Sequence, residues 1–298
     1  MWKSVNELIT ALEKEGYLLD KEKAITLFLA LNMGKPCLIE GPAGVGKTQL
    51  ALALARSTGR KLIRLQCYEG LDLNKALYEW DYAKQLLRLQ VGMSDWEEVK
   101  DNIYSEDFLL PRPLLQAILS KEPALLLIDE LDKSDEEFES FLLELLGEFQ
   151  VTIPELGTFK AKTPPIVLLT SNNTRDISEA LRRRCVHLLL TYPEVEQEIR
   201  IITNKCPDLA QPLIRDVCEF VAKVRKLPLR KLPSVSESMD FAQGLHLLRQ
   251  ESLDFRKLGG TLSVLLKYPT DLAKLEERIK AWQIESEQKS LVMRNDND

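Results

Sequence analysis

Residues 41–48, with the sequence GPAGVGKT, satisfy the G-x-x-x-x-G-K-[ST] pattern that binds phosphate groups. They lie between a short apolar run, residues 36–40, and residues 49–55, which are rich in strong helix formers. Glycines let backbone N–H groups wrap an anion, and the N-terminus of the following helix adds a positive dipole end. This order predicts a strand, a phosphate-binding loop and a helix, and therefore a nucleotide-binding site in an α/β fold.

Two residues of this segment indicate its ligand. Lys47 is placed to reach the β and γ phosphates, and the Thr48 hydroxyl is placed to ligate Mg²⁺. ATP with Mg²⁺ is therefore the expected ligand. A chance glycine-rich turn is the alternative, and the flanking strand and helix count against it.

The composition sets limits on the class of protein. The chain has 298 residues, of which 45% are hydrophobic and 29% charged, so it can bury a sizeable core and form a larger and a smaller domain. Its formal net charge of −6 gives no overall attraction to nucleic acid, although a local basic patch would not show in this number. A nucleic-acid partner is therefore not expected.

Cysteine usage and hydropathy predict the compartment. The five cysteines show no C-x-x-C spacing, so we predict neither a disulfide framework nor a zinc site, and reduced thiols fit best. The N-terminus lacks a basic segment followed by an apolar core, and no apolar run is long enough to cross a bilayer. We expect a soluble, cytoplasmic chain without a membrane segment.

The pattern of apolar runs predicts an α/β domain over residues 1–192. Residues 5–31 read as two amphipathic helices broken near Gly16, which we expect to pack beside the nucleotide site. Four strand candidates follow the first one, at residues 61–66, 124–128, 166–170 and 186–190. Their alternation with helical or irregular segments favours a mostly parallel sheet covered on both faces.

The character of the sequence changes after Tyr192 and Pro193. Helical patterns separated by Pro- or Gly-bearing breaks run through residues 195–204, 213–226, 236–250 and 271–285. We therefore predict a helical domain over residues 193–288. Residues 289–298 are predicted to be a disordered tail.

Two acids form the second half of the predicted site. The apolar strand at residues 124–128 ends in Asp129 and Glu130, and ligands of open α/β sheets gather at the carboxyl ends of strands. We expect Asp129 to hold Mg²⁺ through water and Glu130 to polarise the attacking water. The alternative is that residues 129–132 only open a helix, where acids are favoured.

Polar residues follow the next strand candidate as well. Asn172 is a candidate to orient water or the γ-phosphate, although residues of this type after a strand are equally common as turn formers. Further on, residues 181–185 read LRRRC, and one of these arginines is a candidate for an arginine finger supplied to a neighbouring subunit. A solvated basic helix end is the alternative.

With these motifs in this order, the chain resembles the AAA+ ATPases, and more narrowly the CoxD-like branch of the MoxR family. Residues 65–90 resemble that family's segment after the second strand, which includes its helix-2 insert, and residues 149–162 resemble the hairpin before the sensor-1 strand. The second stretch also reads as a hairpin by itself, because strand-like runs flank the four-residue turn 154–157. The resemblance extends from about Tyr17 to about Leu275. It implies a five-stranded parallel P-loop core with both inserts, followed by a small all-helical lid domain.

Carried over by position, the resemblance implies a role for each site residue. Asp129 and Glu130 become the Walker B pair, Asn172 becomes sensor 1, and the metal-binding residues are Thr48 and Asp129. The implied catalytic residues are Glu130, Lys47, Asn172 and Arg184. The implied nucleotide-binding residues are Gly41, Pro42, Ala43, Gly44, Val45, Gly46, Lys47, Thr48, Gln49 and Asp129.

The choice of finger and of sensor 2 is less direct. We select Arg184 as the finger, with Arg183 and Arg182 as close rivals, because spacing does not decide a shift of one residue. The stretch that matches sensor 2, residues 232–245, contains no arginine. Either a cation from a neighbouring turn reaches the nucleotide or other contacts close the lid, and the candidate cations are Arg225, Arg230 and Lys231.

Other suggestive residues carry weaker signals. The insert aromatics Tyr78, Trp80 and Tyr82 are candidates to face a pore or a partner, but packing against the domain is the favoured interpretation. His187 and His246 lie in a strand and a helix candidate without ligand-like neighbours, so no role is predicted for them.

The leading functional hypothesis is an ATP-hydrolysing, chaperone-like motor that remodels or matures a client protein complex. The resemblance implies a homo-oligomer, in the form of a hexameric ring, a client that is a metalloenzyme or other complex, and a partner with a von Willebrand A domain. One alternative is a DNA-associated motor, against which the acidic balance counts. Another is a nucleotide-gated scaffold without turnover, which would not need Glu130.

Overall fold

The computed structural model describes residues 2–90 and 104–295, and its contacts divide them into two units. The first unit comprises the residues up to Pro42 together with Gly46–Thr191. The second comprises Ala43–Val45 together with the residues from Tyr192 onward. Three residues of the phosphate-binding loop are thus grouped with the second unit.

Strands and short helices alternate in the first unit. Its strands are β1 Cys37–Glu40, β2 Lys61–Gln66, β3 Tyr78–Trp80, β4 Leu109–Pro111, β5 Ala124–Asp129, β6 Gln150–Ile153, β7 Gly157–Lys160, β8 Ile166–Ser171 and β9 Val186–Leu189. Its α-helices are α1 Val5–Lys14, α2 Lys21–Asn32, α3 Lys47–Thr58, α4 Leu73–Leu77, α5 Tyr82–Gln90, α6 Pro113–Leu119, α7 Glu136–Glu148 and α8 Glu179–Arg184.

Five parallel strands form the central sheet, in the order β2-β5-β8-β1-β9. Every residue of β5 and of β8 is buried, which requires cover on both faces of the sheet. The prediction of a five-stranded parallel sheet is confirmed, and each strand lies within one residue of its expected bounds. The carboxyl ends of β1, β5 and β8 meet at one edge, where the loop after β1 begins.

The two predicted inserts are present as small antiparallel pairs. In the first, β3 pairs with β4, and α4 and α5 flank β3 in the chain. The stretch predicted to contain this insert, residues 65–90, ends at the last residue before the gap in the described part of the chain. In the second, β6 pairs with β7, and Ile153 lies opposite Gly157. The turn therefore has three residues, not four, because Gly157 already belongs to the ladder.

The N-terminal helices also agree with the sequence pattern. The α1 helix ends at Lys14, just before Gly16, and Asp20 caps α2 by accepting a hydrogen bond from the backbone N–H of Lys23. Tyr17, between the two helices, lies beside Gly46 at the end of the loop. The connection between α1 and α2 is thus next to the predicted nucleotide site.

The second unit is helical. Its α-helices are α9 Val195–Lys205, α10 Gln211–Val224, α11 Val235–Leu247, α12 Leu262–Leu265 and α13 Pro269–Asn295. The four-residue α12 was not predicted, because a single turn shows no apolar periodicity. The α13 helix continues to Asn295, through most of the residues predicted as a disordered tail, and residues 296–298 lie outside the described residues. In the described part of the chain, no helix combines the length and apolar character needed to cross a membrane.

Aromatic packing and one buried ion pair hold the second unit together. Phe220 contacts the rings of Phe241, Phe255 and Trp282, with centroids about 6 Å apart. The Glu198 carboxylate on α9 is fully buried and accepts two hydrogen bonds from Arg225, at 2.5 and 2.9 Å. Arg225 also donates to the Pro233 carbonyl, so this guanidinium joins three segments.

We predict that Glu198→Ala destabilises the second unit by about 3–5 kcal/mol, because it leaves the Arg225 charge buried without its partner. The matched control is Glu196→Ala on the same helix, whose pair with Arg215 is solvent-exposed on both sides. That change should cost no more than about 1 kcal/mol. Hydrogen exchange of amides in α9–α11 measures both effects. Equal effects of the two substitutions would contradict the structural role assigned to Glu198.

Candidate functional site

The loop after β1 has a backbone that requires glycine at several positions, and Gly41 and Gly46 lie at its two ends. Gly41 has a φ of 153°, and a Cβ atom there would lie 2.0 Å from the Leu190 carbonyl oxygen. Gly46 has a φ of 96°, precedes α3 and supplies no side chain to cap it. The first N–H groups of α3 therefore have no capping side chain from this residue, which is the arrangement that suits an anion.

Lys47 connects the loop to the edge of the sheet. Its ammonium donates to the carbonyls of Gly41 and Pro42, at 2.7 and 2.8 Å, and to Asn172 Oδ1 at 2.7 Å. The residue is only 7% exposed. Burial lowers the pKa of Lys47, and the nearby carboxylates of Asp132, Asp129 and Glu130 oppose this shift. Lys47 thus lies among three acids and bonds to the predicted sensor residue.

Asp129 is the buried acid at the end of β5. Its carboxylate is 3.1 Å from the Thr48 hydroxyl, and it accepts further hydrogen bonds from Thr170 and from Arg64, the latter at 2.5 Å. The structure therefore brings together the two predicted metal-binding residues. Arg64, which is half exposed on β2, was not predicted, since a lone arginine in a strand pattern carries no signal.

Glu130 follows Asp129 with an unusual backbone. Its φ of 57° and ψ of 48° are left-handed, a conformation that costs a non-glycine residue roughly 1–3 kcal/mol. Its N–H donates to the Thr170 hydroxyl at 2.9 Å, which helps to hold this conformation. Its carboxylate is one-third exposed and pairs with Lys133 at 2.5 Å. The side chain thus lies at the surface of the site, bonded to an exposed lysine.

Asp132 organises the end of β8. Its carboxylate accepts hydrogen bonds from the backbone N–H groups of Asn172 and Thr174, each at 3.1 Å, and from the Thr174 hydroxyl. Burial alone would raise the pKa of Asp132, but these hydrogen bonds outweigh it and the pKa is lowered. Asp132 is therefore held as an anion that fixes the backbone at Asn172. The alternative that residues 129–132 only open a helix gave no reason to expect this role.

The remaining loop residues and Gln49 differ in exposure. Pro42, Ala43 and Gly44 are exposed, Val45 is half-buried, and Gln49 is exposed in the first turn of α3. Pro42 contributes its carbonyl oxygen to Lys47.

The three arginines of α8 have different partners. Arg182 donates to both oxygens of the buried Glu40 carboxylate, at 2.5 and 3.2 Å. Arg183 pairs with Glu179 one turn earlier on the same helix, and Arg184 donates to the Leu143 carbonyl at 2.5 Å. Arg183 and Arg184 are exposed. Of the three arginines of α8, Arg182 is thus the one that bonds to a buried acid.

The candidate cations for sensor 2 all have partners inside the second unit. Arg225 pairs with Glu198 and lies over the Tyr192 ring, with its Cζ 4.7 Å from the ring centroid. Arg230 lies over the Tyr268 ring at 4.3 Å, and Lys231 is 3.5 Å from Glu237. These contacts identify none of the three as a nucleotide ligand.

The insert aromatics and the histidines differ in their surroundings. Tyr78 and Trp80 are half-buried and contact each other edge to face, while Tyr82 is 66% exposed. His187 is hydrogen-bonded through Nε2 to Glu40, a contact that the sequence did not predict. The signal was absent from the sequence because the two residues are far apart in the chain. Among the described residues, no hydrogen bond to a carboxylate is found for His246.

Thiol chemistry is not favoured in this molecule. All five cysteines are free. Burial raises the pKa of four of these thiols to about 12, so they are protonated at neutral pH: Cys37, Cys67, Cys185 and Cys218.

The donor set at the centre fits a nucleotide with Mg²⁺. The loop offers N–H groups and an ammonium for phosphate oxygens, and Thr48 and Asp129 offer two oxygens for a cation. Among the described residues, no group of three or more His, Cys, Asp or Glu side chains is placed to hold a metal. Mg²⁺ would therefore take its other ligands from phosphate and water, as it usually does.

Curated proteins with similar sequences include ATPases and proteases. The chain is 22% identical to the gas vesicle ATPase GvpN1 of Halobacterium salinarum over 208 residues, which are 66% of this chain and 58% of that protein. It is 28% identical to a Lon protease of Syntrophus aciditrophicus, over 64% of this chain and 23% of that protein. The gas vesicle ATPase GvpN of Haloferax mediterranei gives 23% identity with coverages of 66% and 58%. The chain thus spans less than two thirds of the length of these relatives.

Solved structures of the Thermotoga maritima protein RuvB are also similar. One mutant is 18% identical, with a TM-score of 0.47, and the match covers 89% of this chain and 73% of that one. The structure described as a Holliday junction branch migration motor is 17% identical, with a TM-score of 0.44 and coverages of 89% and 72%.

A family model gives the assignment. Residues 37–192, more than half of the chain, match the model of the ATPase family associated with various cellular activities. This stretch begins with β1 and contains the whole parallel sheet, the loop around Lys47 and the acids at the end of β5. The chain therefore belongs to the AAA family of ATPases.

Proposed function

We propose that this chain binds and hydrolyses ATP and uses the cycle, as a chaperone-like motor, to remodel or mature a client protein complex. The observation that carries the proposal is the position of Lys47, which bonds both to the loop and to Asn172 beside three acids. Family membership and the gas vesicle ATPases among the relatives support hydrolysis as the activity. A scaffold that only bound ATP would have no use for a carboxylate placed like that of Glu130.

Each residue of the site has a distinct task in this proposal. Lys47 neutralises charge on the β and γ phosphates, and Thr48 and Asp129 hold Mg²⁺, which supplies further charge neutralisation when bound. Glu130 accepts a proton from the attacking water. Its partner Lys133 is exposed and Glu130 itself is one-third exposed, so the pair contributes little stability and the carboxylate can leave it at small cost. Asn172 orients the water or the γ-phosphate, with its backbone fixed by Asp132.

We further propose a homo-oligomeric ring, hexameric as in the MoxR proteins that the sequence resembles. In such a ring Arg184 of one subunit reaches the nucleotide of its neighbour and stabilises charge on the transferred phosphoryl group. Arg184 is exposed, which this role requires. Arg183 is exposed as well and stays a rival, whereas Arg182 already bonds to Glu40. The resemblance also supports a partner with a von Willebrand A domain and a client such as a metalloenzyme.

The binding site is tested by Lys47→Ala. A hydrogen bond that involves a charged group contributes about 1.5–3 kcal/mol, so the Kd for ATP should rise roughly 10- to 100-fold. Isothermal titration calorimetry with Mg²⁺ and ATP measures the change. An unchanged heat of binding and Kd in this variant would remove the basis of the proposal.

Hydrolysis is tested by Glu130→Gln, which keeps the shape of the side chain and removes its basicity. We expect kcat to fall by about 100- to 10,000-fold while ATP binding is retained. The matched control is Glu137→Gln, an exposed glutamate on α7, which should turn over ATP at the wild-type rate. Equal, negligible rates in the wild type and in Glu130→Gln would favour the scaffold instead.

The finger is tested by mixing subunits. Arg184→Ala alone should lose about 10³- to 10⁵-fold in kcat. When it is mixed with Lys47→Ala, an intact site and an intact finger meet at shared interfaces, so part of the activity should return. The same mixture with Arg183→Ala identifies which arginine acts. If neither mixture gains activity at any ratio, a finger in trans is excluded for both residues.

A further inference from the structure

Glu40 is a buried acid that the proposed ATPase chemistry leaves without a task. It is the last residue of β1, and it lies between β8 and β9, opposite Ser171 and Leu189 in the parallel registers. Its side chain is only 4% exposed. Its backbone continues directly into Gly41, whose carbonyl accepts a hydrogen bond from Lys47.

The Glu40 carboxylate collects donors from two other elements. Arg182 of α8 donates to both of its oxygens, and Nε2 of His187 on β9 is hydrogen-bonded to Oε2. Arg182 is further fixed by its Nε, which donates to the Ile177 carbonyl at 3.3 Å. Burying a carboxylate is costly even when it is paired, and apolar residues of similar size are often as stable. Stability alone therefore does not explain why Glu40, Arg182 and His187 are brought together. The effect of these contacts on the orientation of α8 is a second reason to consider.

The helix that Glu40 holds cannot fix its own orientation. With six residues, α8 is shorter than a helix that is stable by itself, and Ser178 at its N-cap makes no side-chain capping bond. Contacts with the rest of the unit must orient it. At its start, the N–H of Ser178 donates to Glu139, and near its end Arg182 donates to Glu40. Near the exposed arginines Arg183 and Arg184, α8 is thus joined to other elements by the Arg182–Glu40 ion pair and by the hydrogen bond from Arg184 to the Leu143 carbonyl.

Glu40 therefore connects α8, which carries the candidate finger, with the start of the phosphate-binding loop. Its side chain bonds to Arg182 of α8, and its main chain continues into Gly41, where the backbone is packed closely against Leu190. At Gly41 even a methyl group would collide with the Leu190 carbonyl, so the turn cannot shift without moving β1 or the chain after β9.

We propose that Glu40 is a positioning residue that sets the orientation of α8, and hence of the arginine that this subunit offers to its neighbour. This inference rests on the proposed function, since it requires ATP hydrolysis with a finger in trans. It predicts a defect in the subunit that donates the finger, not in the subunit that holds the ATP.

The test places Glu40→Gln in one type of subunit at a time. The reference mixture combines Lys47→Ala subunits, which donate the finger, with Arg184→Ala subunits, which donate the site. Arg183→Ala replaces Arg184→Ala if that variant is the one that complements. We expect Glu40→Gln to lower the restored kcat by about 10- to 100-fold in the finger donor, as small misplacements of a reacting group do. In the site donor it should lower kcat by less than about threefold, with KM for ATP unchanged.

Controls separate the inference from the proposed function. Glu137→Gln in the finger donor should leave the restored activity unchanged. If the reference mixture itself gains no activity, the finger in trans fails and the inference falls with it. If the reference mixture is active and Glu40→Gln acts equally in both subunit types, or only in the site donor, the inference alone is overturned.

A second variant keeps the proposal testable if the first one fails to fold. If Glu40→Gln does not fold, Arg182→Gln replaces it in the same mixtures, since Arg182 is 37% exposed and tolerates substitution better. Hydrogen exchange provides a readout independent of turnover. Amides of α8 should exchange faster in either variant while those of β5 and β8 do not. Unchanged exchange in α8, or an unchanged finger-donor activity with Arg182→Gln, would overturn the proposal.

Discussion

The arrangement of this site depends on the buried ammonium of Lys47. A buried cation must be surrounded by acceptors, and here they come from the loop before it and from Asn172 at the end of β8. The same hydrogen bonds therefore shape the loop and join it to the sheet edge. Burial lowers the pKa of Lys47 and the three nearby carboxylates oppose this shift, so these acids favour the charged form. Phosphate oxygens of a bound nucleotide would replace the loop carbonyls as acceptors.

The three acids beside Lys47 differ in their partners, and the partners separate their tasks. Asp132 is held by two backbone N–H groups and a hydroxyl, so it acts on the backbone around Asn172. Asp129 is bonded to Thr48, Thr170 and the half-exposed Arg64. The carboxylate of Glu130 pairs, among the described residues, with the exposed Lys133, and its backbone is left-handed. Of the three, Glu130 is the acid with the most exposed side chain, and hence the one most accessible to a water molecule.

The sequence predicts those parts of the molecule that are coded locally. A strand, a glycine loop and a helix follow one another within 23 residues, from Cys37 to Gly59, and each strand of the sheet has its own apolar run. The bonds that were not predicted join residues far apart in the chain. Arg182 and Glu40 are separated by 142 positions, and Arg64 and Asp129 by 65. Such pairs leave no periodic or compositional trace, because neither partner needs a particular neighbour in sequence.

The buried acids that pair with arginines in the described part of the chain are of two kinds, which differ in how exposed those arginines are. Glu198 and Arg225 are both buried and bonded to each other, so removing either leaves an uncompensated ion and neither can change partner cheaply. Asp129 and Glu40 are buried too, but their arginines are 49% and 37% exposed. Water can solvate such an arginine when it is released, which lowers the cost of exchange for another cation or another position. The Glu198–Arg225 pair is therefore held in one arrangement, whereas the pairs of Asp129 and Glu40, at the ends of the strands that lead into the site, can be exchanged at lower cost.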